Sequence, residues 1–126
     1  MSIKRSIIGL IRNYEKTDES SKDKCLKTPY YNKPIKDVLD KLLNTINSLP
    51  SWEIVHIDED RGEILVEISK PFWKEDMVIT VVAISFNRTA VDVISSKRGI
   101  GGDLGSNYQN ILKLFKQLDL EIPSNQ

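Results

Sequence analysis

Apolar residues recur along this chain first at helical spacing, then at strand spacing, then at helical spacing again. Ile3, Ile7, Leu10, Ile11 and Tyr14 lie on one helical stripe, with Lys4, Arg5, Arg12 and Asn13 mostly off it. Gly9 weakens that helix by about 1 kcal/mol relative to alanine. NYEKTDESSKDK (13–24) is polar and reads as loop. CLKTPYYNKP (25–34) reads as extended chain, because a residue ahead of proline is pushed away from helical geometry. A helix is predicted over 34–48: Pro34 suits the first turn, Ile35, Val38, Leu39, Leu42, Ile46 and Leu49 form one stripe, and Pro50 stops it.

Four strands are predicted next. WEIVHI (52–57) runs through the turn-rich DEDRG into EILVEIS (63–69), where Ile64, Val66 and Ile68 face one way and Glu63 and Glu67 the other. KPFWKED (70–76) connects to MVITVVAISF (77–86), apolar on both faces and therefore central. After the turn at Asn87-Arg88, TAVDVIS (89–95) sets Val91 and Val93 against Asp92. A closing helix at about 106–119 carries Tyr108, Ile111, Leu112, Phe115 and Leu118 on one side.

Short links favour antiparallel neighbours, since parallel pairing needs a long crossover. The expected fold class is α+β, a two-layer sandwich. A four-stranded antiparallel meander carries two helices on one face, in the order α-β-β-β-β-α, with an N-terminal amphipathic helix and arm (1–31) ahead of a single domain (32–126). The other sheet face carries Leu65, Val78 or Met77, and Ile94, and calls for cover by the N-terminal stripe or by a second subunit.

Charge and composition sharpen the picture. The 126 residues balance 18 Lys/Arg against 18 Asp/Glu, yet residues 1–36 hold nine bases and four acids, so a basic arm precedes an acidic body. Such an arm either folds back on that body or reaches for an anionic partner. The acidic body, with no basic stripe interleaved with aromatics, argues against nucleic acid. Cys25 is the lone cysteine, which excludes an internal disulfide and fits a reducing compartment. SIIGLI (6–11) is too short to span a bilayer or to form a signal-peptide core, so a cytoplasmic location is expected. The single histidine, His56, rules out multi-histidine metal sites and a His-based triad, and on a strand it reads as structural or solvent-facing.

SSKRGIGGDLGSN (95–107) puts four glycines within seven residues, between a strand and the last helix. A dinucleotide-binding turn would need a further parallel strand, and a phosphate loop would need Gly-Lys-Ser/Thr; neither follows. The glycines instead suit a sharp strand-to-helix corner capped by Asp103, or by Ser106 with Gln109. VDVISSKRGIGGDLGSN, followed by an apolar helix, resembles the bacterial and plastid family called domain of unknown function 1499. Ser95, Arg98, Asp103, Leu104, Gly105 and Asn107 match its pattern, and Glu75 and Asp76 resemble its acidic pair. Ile94 stands where that family usually has arginine. The resemblance spans roughly residues 34–119 and implies no activity.

The residues left for chemistry are Lys97, Arg98, Asp103 and Asn107 around the corner, with Trp73, Glu75 and Asp76 from the preceding link. Glu75, Asp76 and Asp103 suggest either a carboxylate cluster or simple pairing with Lys74, Lys97 or Arg98. Phe72 and Trp73 form a binding rim, a membrane wedge or a cover for the core edge. No nucleophile–base pair is recognisable, and no cofactor is implied. The expected function is a non-enzymatic binding or interaction module that uses the 95–107 corner and the 70–76 loop. Its partner would be a protein or a small anionic ligand, and the chain a monomer or homodimer. The alternatives are a peripheral membrane protein anchored by residues 3–14, and a carboxylate- or metal-dependent enzyme.

Overall fold

A computed structural model describes residues 14–98 and 105–122 of the chain. The expected N-terminal helix up to residue 13, and the 99–104 part of the glycine corner with Asp103, lie outside the described residues. The elements are β1 (Tyr14–Lys16), β2 (Tyr30–Tyr31), α1 (Ile35–Ser48), β3 (Trp52–Asp58), β4 (Glu63–Ser69), β5 (Lys74–Ser85), β6 (Arg88–Lys97) and α2 (Ser106–Glu121).

The predicted meander is present: β3 pairs with β4, β4 with β5 and β5 with β6, all antiparallel. The sheet is wider than four strands, however. β1 and β2 both pair along the far edge of β6, so the order is β1-β6-β5-β4-β3 with β2 also on β6. The arm is fastened between these two short strands by side chains. The Thr17 and Thr28 hydroxyls donate to the same oxygen of Asp92, at 2.9 and 2.6 Å, and the Val93 amide donates to Thr17 at 2.9 Å.

Strand alternation sends Ile64, Val66 and Ile68 of β4, Met77, Ile79 and Val81 of β5, and Val91 and Val93 of β6 to one face. Both helices cover that face, α1 through Val38, Leu42 and Ile46 and α2 through Ile111, Leu114 and Leu118, and one apolar cluster results. Tyr31 closes its side, fully buried, with its hydroxyl donating to Asp119 at 3.1 Å. Burial pushes the Tyr31 phenol well above its usual range, and the Asp119 charge adds to the shift, so the group stays a neutral donor.

The buried stripe of α2 differs from the predicted one. It runs Asn107, Asn110, Ile111, Leu114 and Leu118, while Tyr108, Leu112 and Phe115 are only half-buried. The helix is rotated so that two asparagines face the sheet, because the sheet is polar beneath its first turn. The outer face buries Val78 and Ile94, and it exposes Val82 and Ile84 toward the β5–β6 hairpin tip, where Phe86 is also exposed. His56 is exposed on β3 opposite Leu65.

Candidate functional site

The site begins with the pairing of β5 and β6 at the end of the sheet where α2 starts. Glu75 lies opposite Lys97, and Asp76 lies opposite Ser96. Successive side chains on a strand point to opposite faces, so neighbours in sequence are separated in space. Glu75 and Lys97 enter the layer beneath α2, whereas Asp76 joins Arg98 on the outer face. The expected residues therefore fall into two clusters. Trp73, Glu75, Lys97 and Asn107 lie on the helix side, Asp76 and Arg98 on the other, and Asp103 lies outside the described residues.

The inner cluster is organised around Glu75, which is fully buried. Its Oε2 accepts a hydrogen bond from the Trp73 indole at 2.8 Å. Its Oε1 accepts from the Ser106 hydroxyl at 2.9 Å and from the Asn110 amide at 2.5 Å. The Lys70 ammonium stands 3.8 Å from Oε1 and donates to the Asn110 carbonyl at 3.0 Å. Ser95 donates to Asn107 at 2.8 Å, and the Lys97 ammonium lies 5.3 Å above the Trp73 ring. An ionised carboxylate without such partners would be very costly to bury. Here donors from the 70–73 loop and from the first turn of α2 meet on it and tie both segments to β5.

Of the two expected helix caps, Asp103 lies outside the described residues, and the one of Ser106 with Gln109 is corrected. Gly105, at φ 79°, occupies the cap position, and the Ser106 hydroxyl is directed to Glu75 rather than to the helix's own amides. A buried carboxylate is the stronger acceptor at that position.

On the outer face Arg98 holds Asp76 with two nitrogens, at 2.7 and 2.5 Å, and reaches Glu67 at 2.9 Å. Lys74 takes the other Glu67 oxygen at 2.7 Å. The hydroxyl of Ser96, buried beside this group, has no hydrogen-bond partner among the described residues. Glu75 and Asp76 thus do not converge, and among the described residues no three of His, Cys, Asp and Glu are grouped as a metal site needs. Sequence pattern does not by itself single out Glu67, Lys70 or Asn110. The signal that finds them is strand parity for Glu67 and the i, i+3 spacing of Asn107 and Asn110 on a buried helix face.

The Lys74 ammonium, and then the Arg98 guanidinium, hold the Glu67 carboxyl below its ordinary value of 4.5. A carboxyl lowered in the folded state contributes stability above its unfolded value and loses it as pH falls through the folded value. Arg98→Ala removes part of that lowering. The fall in melting temperature between about pH 6 and pH 2 should therefore be smaller in the variant and be complete at a higher pH. Superimposable acid limbs would show that Arg98 does not act on Glu67.

The loop between β4 and β5 is held by its own ends. The Lys70 amide donates to the Trp73 carbonyl at 2.9 Å, and the Arg98 amide donates to the Lys74 carbonyl at 3.0 Å. Trp73 is half-buried against Glu75, but Phe72 is 92% exposed. The two aromatics, expected to share one fate, are thus split between core edge and surface. Two surface depressions lie elsewhere among the described residues. One of ≈ 300 Å³ is beside Thr17, Thr28 and Asp92, and one of ≈ 390 Å³ lies between α1 and the end of α2.

No family model matches the chain, and no curated protein sequence does. Seven chains of solved structures match, among them the following two. TTHA0849 from Thermus thermophilus aligns at 11% identity with a TM-score of 0.38, over 86% of this chain and 94% of that one. The Zhui aromatase/cyclase from Streptomyces sp. R1128 aligns at 10% identity with a TM-score of 0.34, over 86% of this chain and 85% of that one. Similarity of that order carries no function from those proteins to this one.

Proposed function

We propose that this chain is a non-enzymatic binding module whose contact surface is the end of the sheet formed by the 70–73 loop, the end of β6 and the start of α2. The observation behind this reading is the exposure of Phe72 on a loop whose neighbours are locked. A large apolar side chain held in water on a fixed backbone loses little conformational freedom when a partner covers it. Fixed aromatics of this kind are the residues that dominate interface energies. Glu75 supports the reading in a second way. Both its oxygens are occupied by the protein's own donors, so the buried carboxylate acts as the lock that holds the display in place. Among the described residues no helix is long and apolar enough to cross a membrane.

The test is site-specific photocrosslinking in cells. A photoreactive phenylalanine analogue is placed at Phe72, with a control at Leu120, which is 76% exposed on the far end of α2. Adducts at position 72 that are absent at position 120 are the expected result. Equal labelling at both positions, or neither protein nor lipid adducts at 72, rejects the surface.

A further inference from the structure

We infer that the end of the sheet carrying Phe72 docks on an anionic lipid surface; this rests on the binding-module reading and names the partner. The first observation is the vertical order of charge. Lys70 pairs with Glu75, Lys74 with Glu67, and Arg98 with both Glu67 and Asp76. In each pair the acid lies deeper: the cations are 24%, 52% and 45% exposed, whereas Glu75, Glu67 and Asp76 are 0%, 18% and 9% exposed. In these pairs the surroundings therefore meet the positive heads, with the paired acids beneath them; Glu53, opposite Glu67 on β3, is an exposed acid in the same row.

The second observation is shape. Pro71 and Phe72 form the exposed tip of a convex four-residue loop. Lys70 flanks the tip on the helix side of the sheet, and Lys74 with Arg98 flank it on the other. An apolar point inside a cationic collar matches a medium that is apolar within and negative at its rim. A bilayer offers both without a preformed socket, with phenylalanine entering the acyl boundary and the cations resting among the headgroups.

Charge at the two ends of the strands gives the orientation. The opposite end also exposes apolar side chains, Phe86 at 91% with Val82 and Ile84. However, Asp58, Glu59, Asp60 and Glu63 outnumber Arg61 and Arg88 at that end, and an anionic surface repels them. Of the two apolar ends, one is collared by bases and the other neighbours acids. An acidic protein partner would satisfy the collar too, but it would need a pocket shaped to Phe72.

The experiment uses the full chain and vesicles of phosphatidylcholine, alone or with about 30% phosphatidylserine, read by co-sedimentation. Wild type should partition onto the anionic vesicles roughly tenfold or more above the neutral ones, and raising salt to about 0.5 M should remove that preference. Phe72→Asp should reduce the partition about tenfold and Lys74→Glu severalfold, while Phe86→Asp leaves it unchanged. All three positions are exposed, and a melting curve for each variant confirms folding. The inference is overturned if wild type stays in the supernatant with anionic vesicles at low salt. It is equally overturned if Phe72→Asp binds as wild type does, because the attachment then lies elsewhere in the chain. Protein adducts from position 72 without vesicle binding would remove this inference and leave the binding-module reading standing. Absence of both would remove the two together.

Discussion

Glu75→Ala should lower the stability of the fold by about 3–5 kcal/mol, the range for removing one member of a buried charged group. Alanine leaves the Trp73 indole and the Ser106 hydroxyl without their acceptor, the Asn110 amide with only its 3.5 Å bond to Ser95, and Lys70 without its counter-ion. Each buried donor without a partner costs about 1–3 kcal/mol, although water entering the space recovers part of that. For a chain of this size the melting temperature should fall by about 10–20 °C. Glu75→Gln keeps the volume and still offers one carbonyl oxygen to Ser106 and Asn110, but it sets an amide nitrogen against the Trp73 indole N–H. The glutamine variant should therefore lose about half as much, and the Trp73 indole proton should shift strongly in an NMR spectrum. A melting temperature within a degree or two of wild type in Glu75→Ala would mean that Glu75 does not fasten the loop to α2.

That residue also shows what the sequence could and could not convey. The meander from Trp52 to Ser95 was legible because β4 alternates cleanly and β5 is apolar on both faces, and these patterns come from burial alone. Glu75 and Asp76 looked like part of a polar link for the same reason. They are charged, so they interrupt the apolar run of β5, and nothing local shows that their backbones continue the ladder opposite Lys97 and Ser96. The partners that make burial tolerable sit 31 and 35 residues away, at Ser106 and Asn110. Tertiary contacts, not propensity, place these side chains.

The two added strands were hidden by a different effect. Tyr14–Lys16 and Tyr30–Tyr31 are three and two residues long, too short for any period to show. What seats them is the edge of β6 and the carboxylate of Asp92, reached by threonines 75 and 64 residues earlier in the chain. Asp92 read as the solvent-facing member of an alternating strand. It does face away from the core, but it serves as the clasp for the arm. The last helix shows the same limit. Its leucines and isoleucines mark it as amphipathic, yet its orientation is set by Asn107 and Asn110, and an asparagine on a predicted helix normally reads as exposed. The candidate site was therefore visible as a set of residue types near one corner. Its division into a buried lock and a surface collar depends on strand parity at Glu75 and Asp76.

Two glycines of like backbone conformation should respond very differently to alanine. Gly62 and Gly105 have φ values of 68° and 79°, a region that costs an L-residue about 1–2 kcal/mol. A Cβ at Gly105 would meet nothing within 4 Å among the described residues, so Gly105→Ala should cost about 1 kcal/mol, the conformational term alone. A Cβ at Gly62 would overlap the Val81 carbonyl oxygen. That clash cannot relax by a side-chain rotation, because the neighbour is backbone and the Val81 amide already donates to the Gly62 carbonyl at 2.7 Å. Alanine must therefore break this bond or push the β3–β4 turn away from β5, and the total cost should reach about 3 kcal/mol or more. Urea unfolding of both variants measures the difference directly, with the conformational term nearly cancelled between them. Equal losses would mean that the turn does not approach β5 as closely as the geometry requires. A larger loss at Gly62 would identify the single position in the β3–β4 turn where only the smallest residue lets β4 seat against the central strand.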